Sequence, residues 1–517
     1  MGRPFARSCI LPLAAVTATA ASFALVAEGF AQGMTMRTSP GLSRGPSMNM
    51  GPTRIPGGIG RIPNTHIPNT HIPDTRPRIP GRPRFPGGPG IIIAIPPAGG
   101  GGPPPTVILD DDDDLPPRRP PPPRKTRQAA PSPNRPGFIV PPPGERRLVP
   151  NEVLVTTSAS LSPQAFDAIL RRHRLTRLDT QDFALTGRRV HRLRIDASRS
   201  VSAVINGLRG ETQLDRAGAN FQYALLQAGA AAAGDAAGDQ YALAKLRLTE
   251  AHALARGNDV LVAVIDSMID RDHPDLAGVV ADSFNATGAE DKPHAHGTGM
   301  AGAIASQGRL TGAAPAVRIL AAKAFGVAGK GGEGTTFHIL KSLDWAAAKG
   351  ARVINMSFAG PADPELRDML AAARRKGVVL VAAAGNAGPK SPPLYPAADA
   401  NVIAVTATDS QDRVFARAVR GKHIAVAAPG VDILVSAPEA SYQLTSGTSV
   451  AAAQISGVAA LLVERGPKLD TDGVRKVLMS TARDLGPKGP DPQYGAGLTD
   501  AYQALMTIAP PPVTAKQ

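Results

Sequence analysis

Cysteine occurs once in the 517 residues, at Cys9, inside an apolar stretch near the start. The rest of the chain therefore offers no disulfide and no thiol nucleophile. Cys9 opens the apolar run instead of ending it, which argues against lipid attachment there. Aromatic residues make up only 4%, while Gly (54) and Pro (51) abound, so part of the chain packs no core. Zinc knuckles, aromatic-basic RNA motifs and helix-turn-helix patterns are missing. The formal charge of +15 gathers in Pro- and Arg-rich stretches of the first half. It is read as solubility and loose attraction to anionic surfaces, with no nucleic-acid partner. The Gly-rich stretch 326–334 lacks the Gly-Lys-Ser/Thr ending of a Walker loop. No His-Glu-x-x-His is present, and His294 and His296 have no further ligand cluster, so no metal site follows from sequence.

Arg3 and Arg7 precede an apolar run at 9–26, and Gly29-Phe30-Ala31 offers a small-x-small cleavage site. Residues 1–31 thus read as an export signal. The alternative, an uncleaved anchor, is weakened by Pro12 and the Thr and Ser residues in the run, and no specific membrane partner is expected. From 32 to 145 the sequence is low-complexity, with Ile62-Pro63-Asn64-Thr65-His66 repeated at 67–71 and altered at 72–76. Proline at every fifth residue predicts a disordered, extended tether. The Asp run 110–114 lacks the spacing of a calcium loop and faces Arg118, Arg119 and Arg124, a solvated charge block.

Residues 146–227 predict strands at 152–157, 175–179, 189–195 and 220–226. Helices are expected from Ser162-Pro163 and over 200–209, giving a small ferredoxin-like α+β unit. Residues 228–239, rich in Ala and Gly, read as a flexible joint. From 240 to 506, apolar runs at 260–265, 319–324, 352–356, 378–383 and 402–405 lack strand-type alternation. Strands buried on both faces read this way, so the expectation is α/β, a doubly wound, mainly parallel sheet with helices on both faces. Residues 507–517 form a tail.

In such sheets, sites form at the C-terminal ends of strands. Asp266 ends the first run, His296 opens a Gly/Ala-rich segment, Asn386 follows the run 378–383, and Ser449 stands at the mouth of an apolar helix. Each has a common structural explanation alone: strand-end cap, core histidine, turn residue, helix N-cap. Together they suit acyl transfer. A serine hydroxyl needs a base, histidine is the base nearest working pH, and a buried carboxylate fixes its tautomer. The Ser449 N–H and the Asn386 amide would then receive the oxyanion.

The motifs Val264-Ile265-Asp266-Ser267, His296-Gly297-Thr298, Ala383-Ala384-Gly385-Asn386 and Gly447-Thr448-Ser449 stand in the order Asp, His, Ser. With His273-Pro274-Asp275-Leu276 and Tyr395-Pro396-Ala397, they make about half the chain resemble the subtilisin-like serine proteases. The resemblance implies an endopeptidase acting on protein or peptide substrates, with Asp266, His296 and Ser449 as triad and Asn386 as oxyanion donor. It also implies a substrate strand held between Gly331, Gly332, Glu333, Gly334 and Ser357, Phe358, Ala359, Gly360. It places residues 146–227 as the enzyme's own propeptide and zymogen partner, cut from the peptidase within the joint. No cofactor is required for the chemistry; many relatives carry structural calcium, and no calcium site is placed from these residues. The chain departs from the family at Met268, Gly299, Ala359, Ala453 and Gln454, and Met268 is expected to bring bulk near the triad. Two alternatives share these residues: a catalytically impaired envelope binding protein, and an esterase or amidase.

Overall fold

The computed structural model describes residues 135–508, except 159, 227, 233–239, 291 and 329–330. The expected signal, most of the tether and the tail lie outside the described residues.

The first layer is β1 (Leu148–Thr157), α1 (Pro163–His173), β2 (Thr176–Phe183), β3 (Arg188–Arg194), α2 (Val201–Leu208) and β4 (Leu214–Leu225), followed by β5 (Ala228–Ala232). Local chemistry sets the helix starts. Ser162 and Ser200 accept the N–H groups of Ala165 and Ala203, and Pro163 follows the first cap. Residues 135–145, expected to belong to the tether, instead form an ordered strap on this layer. Phe138 is buried, and the Arg135 guanidinium donates to the carbonyls of Arg209, Glu211, Thr212 and Leu214 just past α2. One aromatic anchor and one multidentate arginine hold a segment that its prolines alone would leave extended.

The second part runs α3 (Tyr241–Leu246), α4 (Leu248–Ala251), β6 (Leu261–Asp266), β7 (Val280–Asn285), α5 (Ala295–Ala305), β8 (Arg318–Lys323), β9 (Phe325–Ala328), β10 (Gly331–Thr335) and α6 (Thr336–Ala348). It continues with β11 (Val353–Met356), β12 (Phe358–Ala359), α7 (Pro364–Arg375), β13 (Val379–Ala383), β14 (Ile403–Thr408), β15 (Ile424–Pro429), β16 (Ile433–Ala437), β17 (Ser441–Ser446), α8 (Thr448–Arg465), α9 (Thr471–Thr481) and α10 (Ala501–Met506). Seven strands in the order β15-β14-β13-β11-β6-β8-β7 form a sheet whose pairings are all parallel. Ala263 and Ile265 face the core shared with α6 and α7, while Val262 and Val264 face the core shared with α5 and α8. Two-sided burial explains the unbroken apolar runs.

A second, antiparallel sheet joins the two parts. Its order is β2-β3-β1-β4-β10-β9, with β12 also pairing β4. The core of the first layer is continuous with that beneath α6 and α7, and Phe183 meets Phe337 edge-on at 6.3 Å. Polar contacts fix the register. Asn220 Oδ1 accepts the Phe337 N–H at the start of α6, the Leu185 N–H donates to Asp344, and Arg188 and Arg216 both pair with Asp368. Residues 228–239 read from sequence as a flexible joint, yet 228–232 pair antiparallel with β17. Backbone pairing needs no side chains, so an Ala/Gly stretch can supply it.

His338 of α6 lies under the first layer, and its imidazole is pushed down to about 4 by burial, then by Arg192 and Lys341, against the opposing pull of Glu152 and Asp179. The unfolded residue titrates near 6.5, so only the unfolded chain gains this proton between those values. Stability from this site is complete above about 6.5 and is lost as pH falls toward about 4. In chains carrying Ser449→Ala, to keep hydrolysis out of the measurement, denaturant midpoints should fall between pH 7.5 and 5, and His338→Gln should flatten that slope. An unchanged slope would show that other groups set it; His191, also pushed down to about 4, is the next to test.

Candidate active site

Asp266 closes β6 and is fully buried. Its Oδ1 accepts from the Ser267 N–H (2.7 Å), the Ser267 hydroxyl (3.1 Å) and His296 Nδ1 (2.8 Å). The carboxylate thereby sets the ring so that Nε2 is the nitrogen left for a reactant. That Nε2 is buried with no hydrogen-bond partner. His296 is held at the start of α5, where His294 Nδ1 accepts its N–H at 3.3 Å. Burial pushes the His294 imidazole down, as does the neighbouring His296, and its ring contacts the Ser267 hydroxyl at 3.1 Å.

Ser449 is the second residue of α8 and Gly447 its cap, at φ +153°. A Cβ on Gly447 would lie 2.7 Å from Asn386 Nδ2, so both the dihedral and the space demand glycine. Thr448 donates twice to Asn386 Oδ1, from its N–H at 3.0 Å and its hydroxyl at 2.9 Å. This fixes which way the amide faces and turns its N–H2 toward the cleft.

What lies there is the chain itself. The Leu226 carbonyl oxygen accepts from Asn386 Nδ2 at 3.1 Å and from the Ser449 hydroxyl at 2.8 Å. The Leu226 N–H donates to the Ser357 carbonyl at 3.3 Å. Upstream, Leu225 is opposite Phe358, while Ala224 is opposite both Ala359 and Glu333, and Tyr223 is opposite Gly334. Downstream, β5 pairs with β17. The Leu226 side chain packs against Ala359, Leu394 and Val419.

The structure thus brings Asp266 and His296 together, and Ser449 and Asn386 together on one carbonyl. It shows no hydrogen bond between Ser449 and His296; the hydroxyl donates to Leu226, with a longer contact to the Ser357 carbonyl at 3.4 Å. Glu333 and Gly334 pair with β4, Gly332 abuts the Leu225 side chain, and Gly331 pairs instead with Ala328 of β9. Gly360 pairs with Tyr395 and lies against the Tyr223 ring. Met268, expected to crowd the triad, is 37% exposed. Gly299 packs on Val435, where a Cβ would approach to 2.9 Å. Sequence reasoning missed Thr448 as the residue that orients Asn386; its place between Gly447 and Ser449 was the available signal. Among the described residues no group of three His, Cys, Asp or Glu side chains could hold a metal ion, and no calcium site is assigned.

A buried carboxylate–imidazole pair, a hydroxyl at a helix start and an amide aimed at a peptide carbonyl form an arrangement suited to acyl transfer. The comparisons agree. The Subtilase family model matches residues 257–497. Thermitase of Thermoactinomyces vulgaris is 34% identical over 275 residues, 52% of this chain and 96% of thermitase. Subtilisin DY of Bacillus licheniformis is 36% identical over 264 residues, 48% of this chain and 92% of its own. The fold is shared with fervidolysin of Fervidobacterium pennivorans, a keratinolytic enzyme related to subtilisin. The TM-score is 0.60 at 24% identity, over 69% of this chain and 61% of that one. With relatives this similar matched over nearly their whole length, the chain belongs to the subtilase family of serine endopeptidases.

Proposed function

We propose that this serine endopeptidase is exported and made as a zymogen, and that it cuts its own chain between Leu226 and Gln227. One observation carries the reading: the Leu226 carbonyl oxygen shared by Asn386 Nδ2 and the Ser449 hydroxyl. The main-chain bonds around it support it, since substrates added as a strand are held this way.

In this reading Ser449 Oγ turns from the Leu226 oxygen toward His296 Nε2, passes it the hydroxyl proton and bonds to the carbonyl carbon. Asn386 and the Ser449 N–H hold the oxyanion, and Asp266 stabilises the imidazolium. The carbon–nitrogen bond to Gln227 breaks as His296 protonates the leaving amine. Water, activated by the same histidine, then releases the acyl group. No cofactor takes part. Residues 146–226 serve as an internal inhibitor until they dissociate. Export rests on the run 9–26, and among the described residues no helix is long and apolar enough to cross a membrane.

Sequencing the N-terminus of secreted, active protein should give Gln227, and Ser449→Ala should remain uncut after signal removal. A fully active protein starting near Gln32 would overturn the zymogen. Asn386→Ala should keep the fold and lower turnover by about 10²–10³, since one oxyanion donor is lost.

Ala359 packs on the Leu226 side chain, so Ala359→Gly should deepen that pocket. Peptide-library profiling should then show greater tolerance of large aromatic residues just before the cut bond. An unchanged profile would remove Ala359 from the pocket wall.

A further inference from the structure

Three residues before Leu226, Tyr223 is only 1% exposed although it belongs to a segment that must leave if the cleft is to take other substrates. Its ring stands edge-on to Phe358, 5.9 Å between centroids. It also lies flush on Gly360, where a Cβ would come within 2.3 Å of the ring. The phenol oxygen is buried, and a buried hydroxyl without a partner is costly. It reaches two acceptors, the Pro361 carbonyl and Asp363 Oδ2, each at 3.4 Å.

Asp363 caps α7, and that role alone accounts for half of its carboxylate. Oδ1 accepts the Glu365 N–H at 2.9 Å, as a serine or asparagine at the cap would. Oδ2 does something else. It accepts the Thr336 hydroxyl at 2.6 Å and faces the Tyr223 hydroxyl, at a position 6% exposed. A buried carboxylate oxygen has more acceptor capacity than one threonine fills. When β4 leaves, Oδ2 keeps Thr336 and loses the phenol. Burial also keeps the Tyr223 phenol protonated, its pKa raised well above the ordinary value, so it remains a donor.

We propose that Asp363, supported by Thr336, makes this peptidase select tyrosine over phenylalanine three residues before the one whose carbonyl is attacked. The proposal rests on the reading that Leu226–Gln227 is the bond cut. Phenylalanine would fill the same space and leave Oδ2 short of a donor. Sites built to bind a hydroxyl reject the analogue that lacks it, and the length of this contact puts the preference at about tenfold.

The test is internal competition. Full chain, incubated until its peptidase activity is constant, receives an equimolar pair of peptides copying residues 221–230, one native and one carrying Tyr223→Phe. Mass spectrometry follows the depletion of each, which gives the ratio of kcat/KM, and identifies the cut bond. The native peptide should be consumed about tenfold faster, with cleavage after the second leucine. In Asp363→Ser, which retains a capping oxygen, the ratio should fall below about twofold. If that variant does not fold, Asp363→Asn, which keeps the cap and removes the charge, should lower the ratio. Equal depletion by the unsubstituted enzyme, or a ratio unmoved by either variant, overturns the role of Asp363 while leaving cleavage after Leu226 standing. Cleavage at another bond, or none, overturns the Leu226 register and this inference with it.

Discussion

Main-chain pairing of β4 with β10 and β12 is the interaction on which the rest depends. Each bond contributes only about 0.5–1.5 kcal/mol net, but together they align a continuous chain through the site to within one residue. The two flanking strands would otherwise present bare edges. Bare edges recruit whatever extended chain is nearby. Here the nearest is covalently attached, which makes occupancy independent of concentration. A cleft built from strand edges is therefore filled by default, and the first layer's contacts with α6 and α7 brace the strand that fills it.

The site depends equally on groups that never touch the reacting carbonyl. Thr448 spends both donors on Asn386 Oδ1, and glycine at 447 leaves room for the amide beside it. Ser267 supports Asp266 from its hydroxyl and its N–H, and the same hydroxyl accepts the Gly297 N–H. Donors held rigidly before charge develops need no reorganisation when it does. The left-handed glycine at 447 and the small residues of the motifs are the physical content of their apparent simplicity.

Much of this was legible in the sequence because local chemistry sufficed. Ser162-Pro163 and Asp363-Pro364 announce their helices, and runs such as 260–265 announce two-sided burial. What escaped depends on distant partners. β7 alternates half-buried and exposed residues at the edge of the sheet and offers no apolar run. β15, Ile-Ala-Val-Ala-Ala-Pro, is apolar but reads as readily as helix until β14 pairs with it. The first half of β4 carries Asp215, Arg216 and Gly218, and only its pairing with β1 makes it a strand. Tyr223 looks like one more core aromatic, and Asp363 like a cap, until the fold brings them together.

The strap of residues 135–145 ties whatever precedes it to the first layer, so the tether and the inhibitor would depart as a single piece. That couples release to charge. Without the signal at 1–31, residues 32–226 hold 27 Lys and Arg against 14 Asp and Glu, and residues 227–517 hold 28 against 27. A cut after Leu226 would divide a formal +14 into +13 and +1. The precursor would adhere to anionic surfaces and the freed peptidase would not, so one hydrolysed bond would also detach the enzyme from where it was delivered.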